Sequence, residues 1–460
     1  MKKPIMLIAA PVATRSGYGN HSRDLIESLI EMDKWDIKIA SLRWGDCSMD
    51  ALDDDNPVHQ KIKQCFIGPN NQLNQQPDVN VDIRVPNEFQ KIGKFNIGIT
   101  AGIETTIVSS KWIEGCNRMD LVIVPSEHSK KTFLNSSWDK LQDLPDGQKQ
   151  KIGELRVETP IEVLFEGADE LIYKKTKNIP KTIKSTLDDI KEDFCFLYVG
   201  HWLRGDLGQD RKDTGMLVKV FLETFKNKEN PPALIMKTSG ATFSIMDRDE
   251  IMKKIEGIKA QIENADKLPP IYFLHGDLTD EEMNGMYNHP KVKACPTFTK
   301  GEGFGRPLLE ATFADKLVIA SNWSGQTDFL DSKMSVMLPG KLNPVHESSV
   351  WEKVILRESQ WFTVDYSYAS RTLLDVWKNF KNYSSRAMKQ GSTNRLKFTL
   401  SNMKKEFSSL MNKYIPEFPK EVELKLPSLK KVDNSKGELP KIKLPKLTKE
   451  ESNDTTNATI

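Results

Sequence analysis

Apolar residues follow two alternating patterns along the chain. Ile5–Ala10, Leu121–Val124 and Phe194–Val199 are unbroken apolar runs of strand length, the form expected when both faces of a strand are covered. After the first run, Leu25, Ile26, Leu29 and Ile30 recur at helical spacing. Further strands are predicted at Asp36–Ala40 and around Phe95–Thr100, and Ser126 is placed to cap a helix that follows Val124. The second half repeats the alternation, with a helix over Met216–Phe225, a strand over Ala233–Lys237, a helix near Arg248–Asn264 and a strand over Ile271–Leu274. Thr279 with Glu282 three residues on forms a capping box for the next helix. Strand and helix alternating in both halves predict an α/β protein with two doubly wound, Rossmann-like domains, residues 1–175 and 190–345, joined by a lysine-rich linker over Lys174–Lys191. Two polar stretches, around Asn70–Gln75 and over Asp139–Gly153, read as a surface excursion and a loop insertion. Residues 346–415 have an aromatic segment, Trp351–Phe362, and then helical periodicity at Leu373, Leu374, Val376 and Trp377. Residues 416–460 carry a lysine-rich Leu-Pro repeat, and proline at that density excludes a helix interior. This tail reads as a flexible or extended arm whose lysines offer a contact to an acidic partner.

Composition narrows the functional classes. A net charge of +2 on 460 residues gives no whole-protein field for nucleic acid and leaves only a local basic patch open. The five cysteines are widely spaced and form no CxxC pair, so neither a zinc knuckle nor a redox motif is expected; they read as reduced thiols of a cytoplasmic protein. The basic start and short apolar run at Met1–Ala10 pass into a loop and a charged helix, so they read as a strand and not as a signal peptide. No run approaches the roughly 18 apolar residues of a spanning helix, which leaves only peripheral membrane contact. The seven histidines are scattered, and no carboxylate group resembles a cation cage, so no metal ligands are assigned.

The chemistry concentrates in Glu302-Gly303-Phe304-Gly305-Arg306-Pro307-Leu308-Leu309-Glu310, between a predicted strand and a predicted helix. Gly303 and Gly305 permit close backbone approach to a ligand, and Pro307 starts the helix, where its missing N–H costs nothing. The open N–H groups of such a helix start suit phosphate. Glu302 and Glu310 repel phosphate, so their work is with hydroxyls. A ligand with hydroxyls at both ends and phosphate between is a nucleotide sugar.

Two glutamates separated by seven residues, with Gly-Phe-Gly after the first and Pro-Leu-Leu before the second, resemble the donor-site signature of glycosyltransferase family 4. The flanking Lys293–Thr297 and Leu317–Gln326 stretches resemble the strands on either side of that signature. The resemblance implies the GT-B fold, with an acceptor-side first domain, a nucleotide-sugar-binding second domain and a C-terminal helical segment that packs back toward the first. It implies retaining transfer with no obligatory metal or other cofactor. Glu310 then takes the ribose hydroxyls, Glu302 the sugar hydroxyls, and the backbone from Phe304 through Arg306 and Pro307 to Leu308 the sugar and diphosphate. Gly17, Tyr18 and Gly19 become cleft residues, although a tight turn without a ligand explains them equally; Arg15 and His21 are secondary candidates there.

The chain also departs from the family. After Gly200, where the strand reaches its turn, the usual arginine is replaced by His201 and Trp202, followed by a longer loop. Lys212 is assigned to the diphosphate lysine, and Arg204 or Arg211 to the arginine; solvated basic loop residues are the alternative for each. The histidine that many members direct at the reaction centre is absent near Ala101–Thr106, where Glu104 is the nearest ionisable group. Glu104 is either a polar catalytic group or a helix-start residue favoured by the dipole. The expected function is transfer of a sugar from a nucleotide sugar to a glycan, a protein or a modified DNA base, the last suggested by similarity to transferases of large phages, which would place the protein in the host cytoplasm. The alternative is a non-catalytic GT-B-fold protein that binds sugar or nucleotide, or that assembles through its C-terminal arm.

Overall fold

The computed structural model describes residues 3–68, 73–144, 148–240 and 242–418. Residues 419–460, most of the proline-rich tail, and Asn70–Gln72 of the polar excursion lie outside the described residues. Two six-stranded parallel sheets organise the chain. The first has the spatial order Asp36–Ser41, Ile5–Ala10, Val79–Ile83, Phe95–Ile99, Leu121–Val124, Ile161–Val163. The second has the order Ile271–Leu274, Ala233–Ser239, Cys195–His201, Val292–Pro296, Leu317–Ser321, Val336–Leu338. Each half builds outward from its own first strand in both directions. The order therefore reverses beside Ile5–Ala10 in one sheet and beside Cys195–His201 in the other, and the loops diverge there to leave a crevice at the carboxyl ends.

Apolar strands and helix faces account for this arrangement. Ile5–Ala10 and Leu121–Val124 are buried along their whole length because helices cover both faces of the sheet. In the second half Phe196, Phe221 and Phe225 meet edge-to-face or tilted, with centroids 5.1 to 6.2 Å apart. Each such ring contributes about 1.5–3 kcal/mol by leaving water.

Several expectations change. The polar stretch read as a loop insertion is an antiparallel hairpin of Trp138–Asp143 and Lys149–Leu155. Both its faces meet solvent, and Leu141 and Ile152 are exposed, so no one-sided apolar alternation marks it. The linker contains a helix, Lys181–Asp188, held by only two buried side chains, Ile183 and Leu187. Gly200 is not a turn: the strand continues through it to His201. Glu104 lies in the connection between Phe95–Ile99 and the helix Ser110–Cys116, so its reading as a helix-start residue does not hold.

After Val336–Leu338 comes a hairpin of Gly340–Pro344 and Gln360–Val364, then the helices Tyr366–Lys378, Phe380–Lys397 and Leu400–Tyr414. Gln360 meets the first half directly: Thr106 N–H donates to its carbonyl at 3.0 Å, and its own N–H donates to Thr106 Oγ1 at 2.9 Å. The last helix lies against Gly17–Met32, where Lys404 pairs with Glu27 at 3.0 Å and Glu31 at 2.9 Å. All five cysteines are free thiols. Among the described residues no helix is long and apolar enough to cross a membrane.

Candidate active site

The site forms on the loops that leave the two strands at the second sheet's switch point. The loop after Cys195–His201 ends at Asp213, in the left-handed conformation (φ 52°) just before the helix Thr214–Phe225. Lys300 and the Tyr366 hydroxyl hold the Asp213 carboxylate at 3.3 and 2.6 Å, and the Lys300 N–H donates to the Arg211 carbonyl at 2.8 Å. This lacing sets Arg211 and Lys212 beside the glycine loop after Val292–Pro296.

The glycines of that loop are required chiefly by the facing domain. A Cβ on Gly303 would stand 1.9 Å from the Ala101 carbonyl oxygen, and one on Gly301 2.1 Å from that of Glu104. Close backbone approach, expected for a ligand, is thus made to the first half of the chain. Gly305 has φ 101° and caps the helix Arg306–Phe313, so its glycine is demanded by conformation. Arg306 rather than Pro307 is the first helical residue, and the Leu308 N–H already donates to the Gly305 carbonyl at 2.9 Å. From behind, Ser324 Oγ accepts from the Glu302 N–H at 2.9 Å, and Gln326 ties this support to Ser321.

One charged cluster centres on Glu302, whose side chain is 10% exposed. Its carboxylate meets Lys212 Nζ at 2.5 Å and Arg211 Nη1 at 3.5 Å; the same Arg211 nitrogen lies 3.4 Å from Glu104. Burial pushes the Glu302 carboxyl up, but Lys212 and Arg211 outweigh it and hold it below the ordinary value. Two cations and two carboxylates balance here, one carboxylate coming from the first half of the chain.

A second cluster surrounds Arg306, which meets Asp24 Oδ2 at 2.6 Å and Glu310 Oε1 at 3.1 Å. Burial pushes Glu310 up to about 8 against the pull of Arg306, with Asp280 and Glu166 adding to the rise. Burial likewise raises Glu166 to about 7, again against Arg306, with Asp24 and Glu302 adding. Arg306 thus pairs with Asp24 and Glu310 and acts on Glu166 only at a distance, while Arg23 adds to the pull on Asp24. His21, from the same helix as Asp24, is buried and kept neutral by burial and by Arg306, its pKa lowered to about 3.

The remaining expected residues divide. The Tyr18 hydroxyl lies 2.9 Å from Thr100 Oγ1 and accepts from the Ala101 N–H at 3.0 Å, so it braces the segment that faces Gly303. Gly19 has no room for a Cβ, which would sit 2.2 Å from the Thr14 carbonyl oxygen, whereas Gly17 faces open space. Arg15 crosses to Asp277 of the second half. The Phe304 ring is buried against Phe329, and Leu308 is buried too, so these two offer backbone rather than side chain. Arg204 is not brought to the cluster: it lies over the Trp351 ring at 5.4 Å and donates to the Val350 carbonyl at 2.9 Å, so of the two arginines only Arg211 reaches Glu302. Among the described residues no group of three or more His, Cys, Asp or Glu could hold a metal ion.

Asp24 and Glu166 are the site residues that sequence reasoning missed. Asp24 sits on the polar side of an amphipathic helix and meets a partner 282 residues away. Glu166 carried one usable signal, its place in the turn after a strand, here the edge strand Ile161–Val163.

No family model and no curated protein matches this chain. Among solved structures, the chain is similar to HepE from Anabaena in complex with UDP-glucose, with a TM-score of 0.57 at 12% identity over 89% of this chain and 100% of that one. It is similar to sucrose-phosphate synthase from Thermosynechococcus elongatus, with a TM-score of 0.58 at 12% identity over 90% and 99% of the two chains. A glycosyltransferase from Rickettsia africae gives 0.54 at 12% identity over 90% and 99%. The shared architecture is the GT-B fold, two Rossmann-like domains with C-terminal helices.

Proposed function

We propose that this chain is a cytoplasmic glycosyltransferase of the family 4 type, moving a hexose from a nucleotide-sugar donor to an acceptor hydroxyl with retention and without an obligatory cofactor. The observation that carries the reading is the convergence of Arg211 and Lys212 on Glu302 at the switch point, one helical start away from Glu310. In this reading the two cations take the donor diphosphate and stabilise the charge it accumulates as the glycosidic bond breaks. Glu302 orients the sugar hydroxyls and Glu310 the ribose. Arg306, engaged by Asp24 and Glu310, positions Glu310 instead of meeting phosphate. Transfer then depends on placement and leaving-group stabilisation. The UDP-glucose bound by HepE makes UDP-sugars the first donors to try. The acceptor class is a glycan, a protein or a modified DNA base; a DNA acceptor predicts binding that weakens steeply with salt.

A second reading, a GT-B-fold protein that binds a nucleotide sugar without transferring it, is favoured by one observation: Glu104 already occupies Arg211. Calorimetric titration with UDP-, GDP- and ADP-glucose tests the donor site. The wild type should bind one of them, and Glu310→Ala should weaken that binding about 10- to 100-fold, as for a lost hydrogen bond to a charged group. A folded wild type that binds none of the three contradicts the assignment.

A further inference from the structure

The turn Phe165-Glu166-Gly167-Ala168 follows the edge strand Ile161–Val163 and is fixed on both sides. The Leu164 N–H donates to the Val124 carbonyl at 2.9 Å. Beyond the glutamate, the Ala168 N–H donates to the Phe398 carbonyl at 3.0 Å, and the Leu400 N–H returns to the Ala168 carbonyl at 2.8 Å. The Phe165 ring packs on the edge of Phe398 at 5.0 Å, and a Cβ on Gly167 would stand 2.6 Å from the Leu400 Cα. The returning C-terminal segment thus clamps this turn, and a side chain on so rigid a support is held in place for a ligand.

Glu166 is half-buried, and among the described residues none donates a hydrogen bond or forms an ion pair with its carboxylate. The charged and titratable groups that face it come from both halves: Arg306, Asp24 and Glu302, together with Glu310 and Tyr18. The one cation among them is already taken by Asp24 and Glu310. A carboxylate drawn partly out of water without a donor is costly, and a ligand hydroxyl placed there removes the cost. An anionic group would meet this carboxylate with the nearest cation, Arg306, already engaged.

We propose that Glu166 is the acceptor-side carboxylate of the cleft, accepting a hydrogen bond from the hydroxyl that receives the sugar and selecting an uncharged, hydroxyl-rich acceptor moiety. This rests on the glycosyltransferase reading, since it assigns the first half's carboxylate to the acceptor and Glu302 to the donor sugar. The ionised form does this work, so turnover should rise with pH through about 7, where Glu166 titrates.

The test uses the full chain, UDP-, GDP- and ADP-glucose as probes, and water as the simplest acceptor, comparing wild type with Glu166→Gln. Donor affinity by calorimetry should stay within about twofold, while nucleotide release falls about 10- to 100-fold and loses its rise through neutral pH. Glu166→Asp should restore part of the rate together with the pH dependence. Unchanged release in Glu166→Gln overturns the proposal, as does a loss of donor affinity as large as the loss of rate. A wild type that binds none of the donors instead overturns the underlying reading, and the two failures are told apart by the wild-type titration alone.

Discussion

The two charged clusters of the cleft use the same residue types and behave oppositely. Around Glu302, Arg211 and Lys212 match two carboxylates, and Glu302 is held below the ordinary glutamate value. Around Arg306, the guanidinium is engaged by Asp24 and Glu310, Glu166 has no ion-pair partner, and the two glutamates rise to about 8 and about 7. Glu302 and Glu310 are buried to the same degree, so the number of cations within reach decides which of the two holds its proton more tightly. The cluster with exchangeable cations suits a diphosphate. The cluster with surplus carboxylate suits hydroxyls.

Three substitutions test this contrast. The largest effect is expected from Glu302→Gln, which leaves Lys212 and Arg211 short of a carboxylate in a buried place. Loss of one partner from such a group costs about 3 kcal/mol, read as a lower urea midpoint. Full stability in that variant would mean the balanced cluster does not form. Next is Glu166→Gln, whose effect has the opposite sign. The folded protein raises this carboxyl from 4.5 to about 7, so folding favours the protonated form; its contribution is fully present below pH 4.5 and is lost as pH rises through 7. The glutamine variant should be more stable than wild type by roughly 3 kcal/mol near pH 8 and equal to it near pH 4, measured by denaturation at the two pH values. Equal stability at both would remove the surplus-carboxylate description. The smallest effect is expected from Glu104→Gln, which releases Arg211 for phosphate. UDP should bind about 3- to 10-fold tighter, since the competing contact is worth about 1 kcal/mol. Weaker UDP binding would place Glu104 among the donor contacts.

What the sequence disclosed depended on the range of the physics involved. Continuous apolar runs and caps are local, so Ile5–Ala10 and the Thr279 capping box were legible, and the box forms as read. The hairpin Trp138–Leu155 and the helix Lys181–Asp188 were not, because the first buries neither face and the second buries only two side chains. Gly303 was expected to bring the backbone close to a ligand, whereas the group it approaches is the Ala101 carbonyl of the first half, a contact that no local pattern discloses. Arg211 and Arg204 could not be separated by spacing, since only the lacing of the Arg211 carbonyl to Lys300 turns one of them inward. Asp24 and Glu166 join the site through contacts between distant parts of the chain, and nothing in their own neighbourhoods announces a charge partner.

In the proposed function this cleft consumes a nucleotide sugar rather than merely holding it. The most direct measurement is nucleotide release from whichever donor the wild type binds, followed over many equivalents of protein. Release should continue and should disappear when Lys212 is replaced by alanine. A donor that stays bound and intact through prolonged incubation, or release unaffected by the loss of Lys212, would contradict the proposed function.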